Sequence, residues 1–66
     1  MMYDYMKEEF INAFDASLNE GNSNRVYTPR MIYALRDMAR NDVYPDGRFS
    51  DDACNIWSAF RETMKR

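Results

Sequence analysis

The sequence predicts an all-α fold, a small three-helix, bundle-like domain with helices near residues 5–19, 29–40 and 51–65. Three stretches repeat apolar residues at intervals of three and four, the period of a helix with one buried face. Each stretch follows a residue of a type that commonly begins helices, and polar or glycine-containing segments separate all three. A chain of 66 residues forms one domain at most, so we assign residues 1–66 to a single helical domain.

The first helix is expected to begin after Asp4, whose side chain can cap its start. Glu8 and Glu9 follow early, where the positive end of the helix dipole favours acidic side chains. Gly21 comes just after the predicted end, where glycine commonly terminates a helix. The apolar face of this helix consists of Met6, Phe10, Ala13, Phe14, Ser17 and Leu18, with Ile11 at its edge.

The second helix has the clearest start signal in the chain. Thr28 is a capping residue, and Pro29 suits the first helical position because proline has no backbone N–H to leave unpaired. Tyr27 before the cap and Ile32 after it can form a hydrophobic staple. The buried stripe is predicted to contain Met31, Ile32, Leu35, Met38 and Ala39, and the helix should end near Arg40.

The third helix follows a turn and has its own cap. The Pro-Asp-Gly sequence at residues 45–47 fits the last three positions of a type I turn. Ser50 is the expected capping residue, and two acids at residues 51–52 fill the first turn. Phe49 is expected to pack against Cys54 as a hydrophobic staple. The predicted stripe is Ala53, Ile56, Trp57, Phe60 and Met64.

The composition argues against several classes of function. Histidine is absent, which removes the commonest metal ligand and general base. Cys54 is the single cysteine, and Ser50 and Ser58 have no histidine to activate them. We therefore predict that the protein is not an enzyme and has no cofactor, metal site or small-molecule substrate.

The same composition predicts a cytoplasmic protein. No apolar run is long enough to span a bilayer, and the N-terminus lacks the apolar region of a signal peptide. The formal net charge is −2, which argues against a simple nucleic-acid coat protein.

One alternative hypothesis is that residues 42–53 belong to a degenerate calcium-binding helix–loop–helix. With Asp42 at the first loop position, Asp46 and Gly47 fall at the fifth and sixth positions of the EF-hand template. Tyr44 and Ala53 occupy the third and twelfth positions, so the bidentate glutamate of the template is missing. We expect an ordinary capped turn without calcium affinity.

The leading site prediction is a partner-binding patch on the exposed side of the second helix. Tyr33, Arg36 and Arg40 lie opposite the buried stripe on a helical wheel, with Arg30 nearby. Tyrosine and arginine are enriched in protein interfaces. Arg36 and Arg40 are like charges four residues apart, and a partner carboxylate or phosphate would offset their repulsion. We expect a protein partner, which includes a second copy in a homodimer, and keep nucleic acid as the alternative.

A second candidate surface is the acidic face of the first helix, formed by Asp4, Glu8, Glu9 and Asp15. Such a face could occupy a basic groove as a nucleic-acid mimic does. Small, acidic, histidine-free domains are common among phage and mobile-element proteins that bind host machinery. By that analogy, the sequence suggests an inhibitor or regulator of a host protein or nucleoprotein complex.

Overall fold

The computed structural model describes residues 4–47 and 49–64, with Asp4 described by its backbone alone. Helix α1 spans Asp4–Asn19, α2 spans Pro29–Arg40 and α3 spans Asp51–Met64. These residues contain no strand, so the predicted all-α, three-helix fold is confirmed. Residue 65, the predicted end of the third helix, lies outside the described residues.

The first two helices run in opposite directions. Tyr5, near the start of α1, lies beside Asn41, which follows the end of α2. Glu9 in the middle of α1 pairs with Arg30 at the start of α2, with 3.4 Å between Oε1 and Nη2. The polar connector at residues 20–28 therefore turns the chain back on itself.

Helix α3, by contrast, runs in the same direction as α2. Ser50, at the start of α3, shares a 2.7 Å hydrogen bond with the hydroxyl of Tyr27, which precedes α2. Arg61, near the end of α3, donates from Nη1 to the carbonyl oxygen of Ala39 at 3.0 Å, near the end of α2. Both α1 and α3 pack on α2, and the backbones of α1 and α3 do not come close to each other, so α2 is the central helix.

The connector at residues 41–50 must return along the length of α2 before α3 can begin. It does so partly inside the domain, since Val43, Pro45 and Phe49 are buried. Phe49 stacks on Phe10 of α1, with ring centroids 4.8 Å apart. The connector thus supplies core side chains between α1 and α3.

Most of the predicted stripes form one core. Two predicted stripe residues differ: Leu18 is 41% exposed while its neighbour Ser17 is buried, and Ile32 is half-buried and does not belong to the core. Ala34 was missed and is buried beside Met6, where its small side chain lets α1 approach α2. The buried apolar residues are Met6, Phe10, Ala13, Met31, Ala34, Leu35, Met38, Ala39, Val43, Phe49, Ala53 and Trp57.

Two helices end in the same hydrogen-bonded motif. At the end of α1, Gly21 has a φ of +89°, and the amide of Asn22 bonds to the Ser17 carbonyl at 3.2 Å. At the end of α2, Asp42 takes the equivalent position with a φ of +58°, and the Val43 amide bonds to the carbonyl of residue 38 at 2.8 Å. This Schellman geometry usually uses glycine at the left-handed position, so Asp42 is unusual there.

The predicted caps of α2 and α3 are confirmed. Thr28 Oγ1 accepts a bond from the amide of Met31 at 3.4 Å, and Ser50 Oγ accepts from the amide of Ala53 at 3.2 Å. Asp4 lies within α1 and not before it, so it occupies the first turn instead of the capping position. In the α2–α3 connector, the backbone bond joins the amide of residue 49 to the carbonyl of residue 46, so the turn lies later than predicted.

Candidate partner-binding surfaces

The predicted patch on α2 has an exposed aromatic residue at its centre. Tyr33 is 56% exposed. The guanidinium carbon of Arg36 lies over its ring, 5.1 Å from the centroid, within the range of a cation–π contact. Arg40 is exposed and follows one turn later on the same side of the helix. We call the surface formed by Tyr33, Arg36 and Arg40 the α2 face.

The guanidinium of Arg36 is only partly satisfied. Its Nη2 lies 3.9 Å from Oδ1 of the adjacent Asp37, at the limit of an ion pair. Its Nε is buried and has no hydrogen-bond partner within the described part of the chain. Arg36 is therefore held by the Tyr33 ring while keeping donor capacity that the described residues do not use.

Arg40 has no ion pair or hydrogen bond to any side chain in the residues that the structure describes. It lies four residues after Arg36, so their like charges repel across one turn of α2. The α2 face thus has an excess of positive charge that the described residues do not neutralise.

Arg30 is set apart from the other three predicted residues. It pairs with Glu9 of α1, and both side chains are about half exposed, at 53% and 57%. An ion pair this exposed adds little stability. Arg30 therefore lies at the border between α1 and α2, beside the α2 face and not within it.

The predicted acidic face is divided in the same way. Glu9 forms an ion pair with Arg30 of α2. Glu8 is exposed, and Asp15 lines a groove on the other side of α1. The side chain of Asp4 lies outside the described residues. Of this set, Glu8 and Asp15 are the two described side chains that make no ion pair within residues 4–47 and 49–64.

The carboxylates of the calcium-loop alternative each contact a basic side chain. Asp42 Oδ1 lies 3.0 Å from Arg61 Nη2, and Asp46 Oδ2 lies 3.2 Å from Lys7 Nζ. The described residues contain no group of three or more histidine, cysteine, aspartate or glutamate side chains that could hold a metal ion. The acidic side chains of the α2–α3 connector therefore attach it to α1 and α3.

Sequence reasoning missed an aromatic groove between α1 and the start of α3. Its volume is about 330 Å³. The residues that line it are Phe10, Ile11, Phe14, Asp15, Phe49 and Ser50, and we call this surface the aromatic groove. Phe14 belongs to the apolar stripe of α1 and Ile11 lies at its edge, and both were visible in the sequence. The approach of Phe49 was not, because it depends on the path of the connector.

Comparisons with known proteins gave no relative. No protein family model, no curated protein and no solved structure matches this chain. Among the described residues, no helix combines the length and the apolar character needed to cross a membrane.

Proposed function

We propose that this chain is a small, non-enzymatic protein-binding module whose α2 face docks on an acidic surface of a partner protein. The observation that supports this proposal is the exposed Tyr33 ring with the Arg36 guanidinium stacked over it at 5.1 Å. Tyrosine and arginine are the residue types that most often dominate interface energies, together with tryptophan.

Stacking favours binding by reducing its entropic cost. An arginine side chain normally loses considerable rotamer freedom when a partner immobilises it. Arg36 already rests on Tyr33 in the free chain, so a partner that contacts both residues has less side-chain rotamer freedom to remove on binding. A flat guanidinium held in this way presents paired donors that match a carboxylate.

The charge of the α2 face favours an acidic partner. Arg36 and Arg40 repel each other across one helical turn, and a carboxylate placed between them would replace repulsion with attraction. Arg30 can contribute at the border only if its pair with Glu9 opens. In this proposal the module acts in the cytoplasm as an inhibitor or regulator, as small phage and mobile-element proteins do, and nucleic acid remains the alternative partner.

Affinity capture with matched variants tests the proposal. Wild type, Tyr33→Ala and Arg40→Glu serve as bait, with Tyr5→Ala and Arg25→Glu as controls, because Tyr5 is 62% exposed and Arg25 is exposed in the α1–α2 connector. We expect a protein retained by wild type and both controls and retained in smaller amount by both α2-face variants. Tyr33→Ala should weaken its binding by at least about 1 kcal/mol, or fivefold.

The same experiment separates the alternatives. Undiminished retention of the partner by both α2-face variants would refute the α2 face as the binding site. Loss of the captured material after nuclease treatment would favour nucleic acid. If the partner is a second copy of the chain, sedimentation should show a wild-type dimer that Arg40→Glu converts to monomer.

A further inference from the structure

The aromatic groove offers a second surface that shares no residue with the α2 face. We propose that it docks a segment of a partner protein that inserts one large apolar side chain and carries a lysine or arginine next to it. This inference does not depend on the function proposed for α2, because the two surfaces lie on different elements and favour opposite charges.

The groove has a rigid apolar floor. Phe10 and Phe49 are 4% and 9% exposed, and their rings stack at 4.8 Å. Phe14 extends this floor, with its ring centroid 6.2 Å from that of Phe10. Because Phe10 and Phe49 belong to the core, the floor is held in place before any ligand arrives.

The size of the groove indicates what it can hold. A volume of about 330 Å³ lies at the lower end of the range for ligand pockets, roughly 300–1,000 Å³. That space suits a single large side chain and its flanking backbone. A buried anchor of this kind, surrounded by weaker contacts, is the usual arrangement at the centre of a protein interface.

Charge determines which neighbour the anchor should have. The Ser50 hydroxyl is already used by Tyr27 and by the amide of Ala53. Asp15 is exposed, and its carboxylate makes no ion pair or hydrogen bond to the described residues. Asp51, next to Ser50, is another exposed acid with no such pair. A segment with a basic residue beside its apolar anchor therefore fits this margin better than an acidic one.

Matched capped dipeptides test both parts of the proposal by amide chemical shifts. The probes are acetyl-Trp-Lys-amide, acetyl-Trp-Glu-amide and acetyl-Ala-Lys-amide, titrated to about 10 mM, where a weak fragment still binds measurably. We expect acetyl-Trp-Lys-amide to shift the amides of Ile11, Phe14, Asp15 and Ser50 in a saturable manner. Acetyl-Trp-Glu-amide should bind about threefold more weakly, the effect of one exposed ion pair, and acetyl-Ala-Lys-amide should not bind.

Variants at exposed positions keep the test independent of folding. Asp15→Asn should reduce the preference for lysine over glutamate, while Glu8→Gln, at an exposed acid of the same helix that does not line the groove, should preserve it. Equal affinity of the two Trp dipeptides for wild type would overturn the charge argument. Absence of saturable shifts, or shifts confined to the α2 face, would overturn the groove as a docking site.

Discussion

The guanidinium of Arg61 bonds both to the end of α2 and to the residue that ends it. Its Nη1 donates to the Ala39 carbonyl at 3.0 Å, and its Nη2 lies 3.0 Å from Oδ1 of Asp42. Asp42 has the left-handed φ of +58° that normally calls for glycine. The Arg61 side chain of α3 therefore bonds to one of the last carbonyl groups of α2, which lack a full set of partners within the helix. It also pairs with Asp42, the strained residue at which the chain leaves α2.

Substitutions at Asp42 should separate backbone strain from the ion pair. Asp42→Gly and Asp42→Ala both remove the carboxylate, so their difference contains no ion-pair contribution and reports the left-handed conformation against the greater freedom of glycine in the unfolded chain. We expect the glycine variant to be more stable than the alanine variant by about 1 kcal/mol, because alanine has a Cβ that opposes positive φ. Urea unfolding at constant m measures this difference. Equal stabilities would show that the strain of alanine at this residue does not exceed the entropic cost of ordering glycine.

The two glycines provide a second matched pair. Gly21 has a φ of +89°, whereas Gly47 does not have a positive φ, and an added Cβ meets no atom within 4 Å at either position. Gly21→Ala should therefore destabilise the domain by about 1 kcal/mol through conformation alone. Gly47→Ala should be neutral or stabilising by up to about 1 kcal/mol, because it restricts the unfolded chain. Thermal unfolding followed by circular dichroism distinguishes the two, and a reversed order would contradict the conformational argument.

Trp57 joins α3 to the connector by packing and by one hydrogen bond. It is 7% exposed, and its Nε1 donates to the Val43 carbonyl at 3.0 Å. Trp57→Phe keeps an aromatic ring but leaves that buried carbonyl unpaired, which should cost about 1–3 kcal/mol. Trp57→Ala should cost about 3–5 kcal/mol, as large core truncations do.

Tyr44→Phe is the control for Trp57. The Tyr44 ring lies 4.7 Å from Trp57 while the residue is 72% exposed, so loss of its hydroxyl should leave stability nearly unchanged. Denaturant midpoints measured by circular dichroism compare all three variants. A Trp57→Phe variant as stable as Tyr44→Phe would mean that the indole hydrogen bond contributes nothing.

The α2 face should tolerate change without loss of folding. Arg40 is exposed and contacts no charged side chain within the described residues, so Arg40→Glu should alter the free energy of unfolding by less than about 0.5 kcal/mol. Arg36→Glu should cost more, because it removes the stack on Tyr33. Paired unfolding curves test this order. If Arg40→Glu unfolds the domain, its effect on partner binding cannot be assigned to an interface contact.

Calcium should leave the α2–α3 connector unchanged. Asp42 contacts Arg61 and Asp46 contacts Lys7, so calcium would have to displace two cations to gain two carboxylates. The template glutamate at its last position is replaced by Ala53. Millimolar calcium should therefore cause no saturable amide shift at Asp42, Asp46 or Gly47. Such a shift confined to this segment would revive the calcium-loop alternative.

Helix positions were predictable because their determinants act over a few residues. Thr28 and Pro29 mark the start of α2 within one turn, and Ser50 does the same for α3. Gly21 ends α1 because it can adopt a positive φ. The end of α2 has no glycine to mark it in the sequence. Asp42 adopts the left-handed conformation there, and its side chain pairs with Arg61, which lies 19 positions later in the chain.

The candidate surfaces were predictable only where one helix forms them. Tyr33, Arg36 and Arg40 share a side of α2 because helical periodicity puts them there, and their exposure follows from the buried stripe opposite. The ion pair between Arg30 and Glu9 joins two helices, so a helical-wheel projection of either helix alone could not reveal it.

The amino-acid sequence by itself determined three helices, the caps of α2 and α3 and most of the residues that the helices bury, because periodicity and capping are local. Only the tertiary structure decided that α3 runs parallel to α2 and that the connector returns through the core. That path brings Phe49 onto Phe10 and so creates the aromatic groove. Contacts between residues distant in the chain depend on how the elements pack together, and the pattern within any single element does not specify that packing.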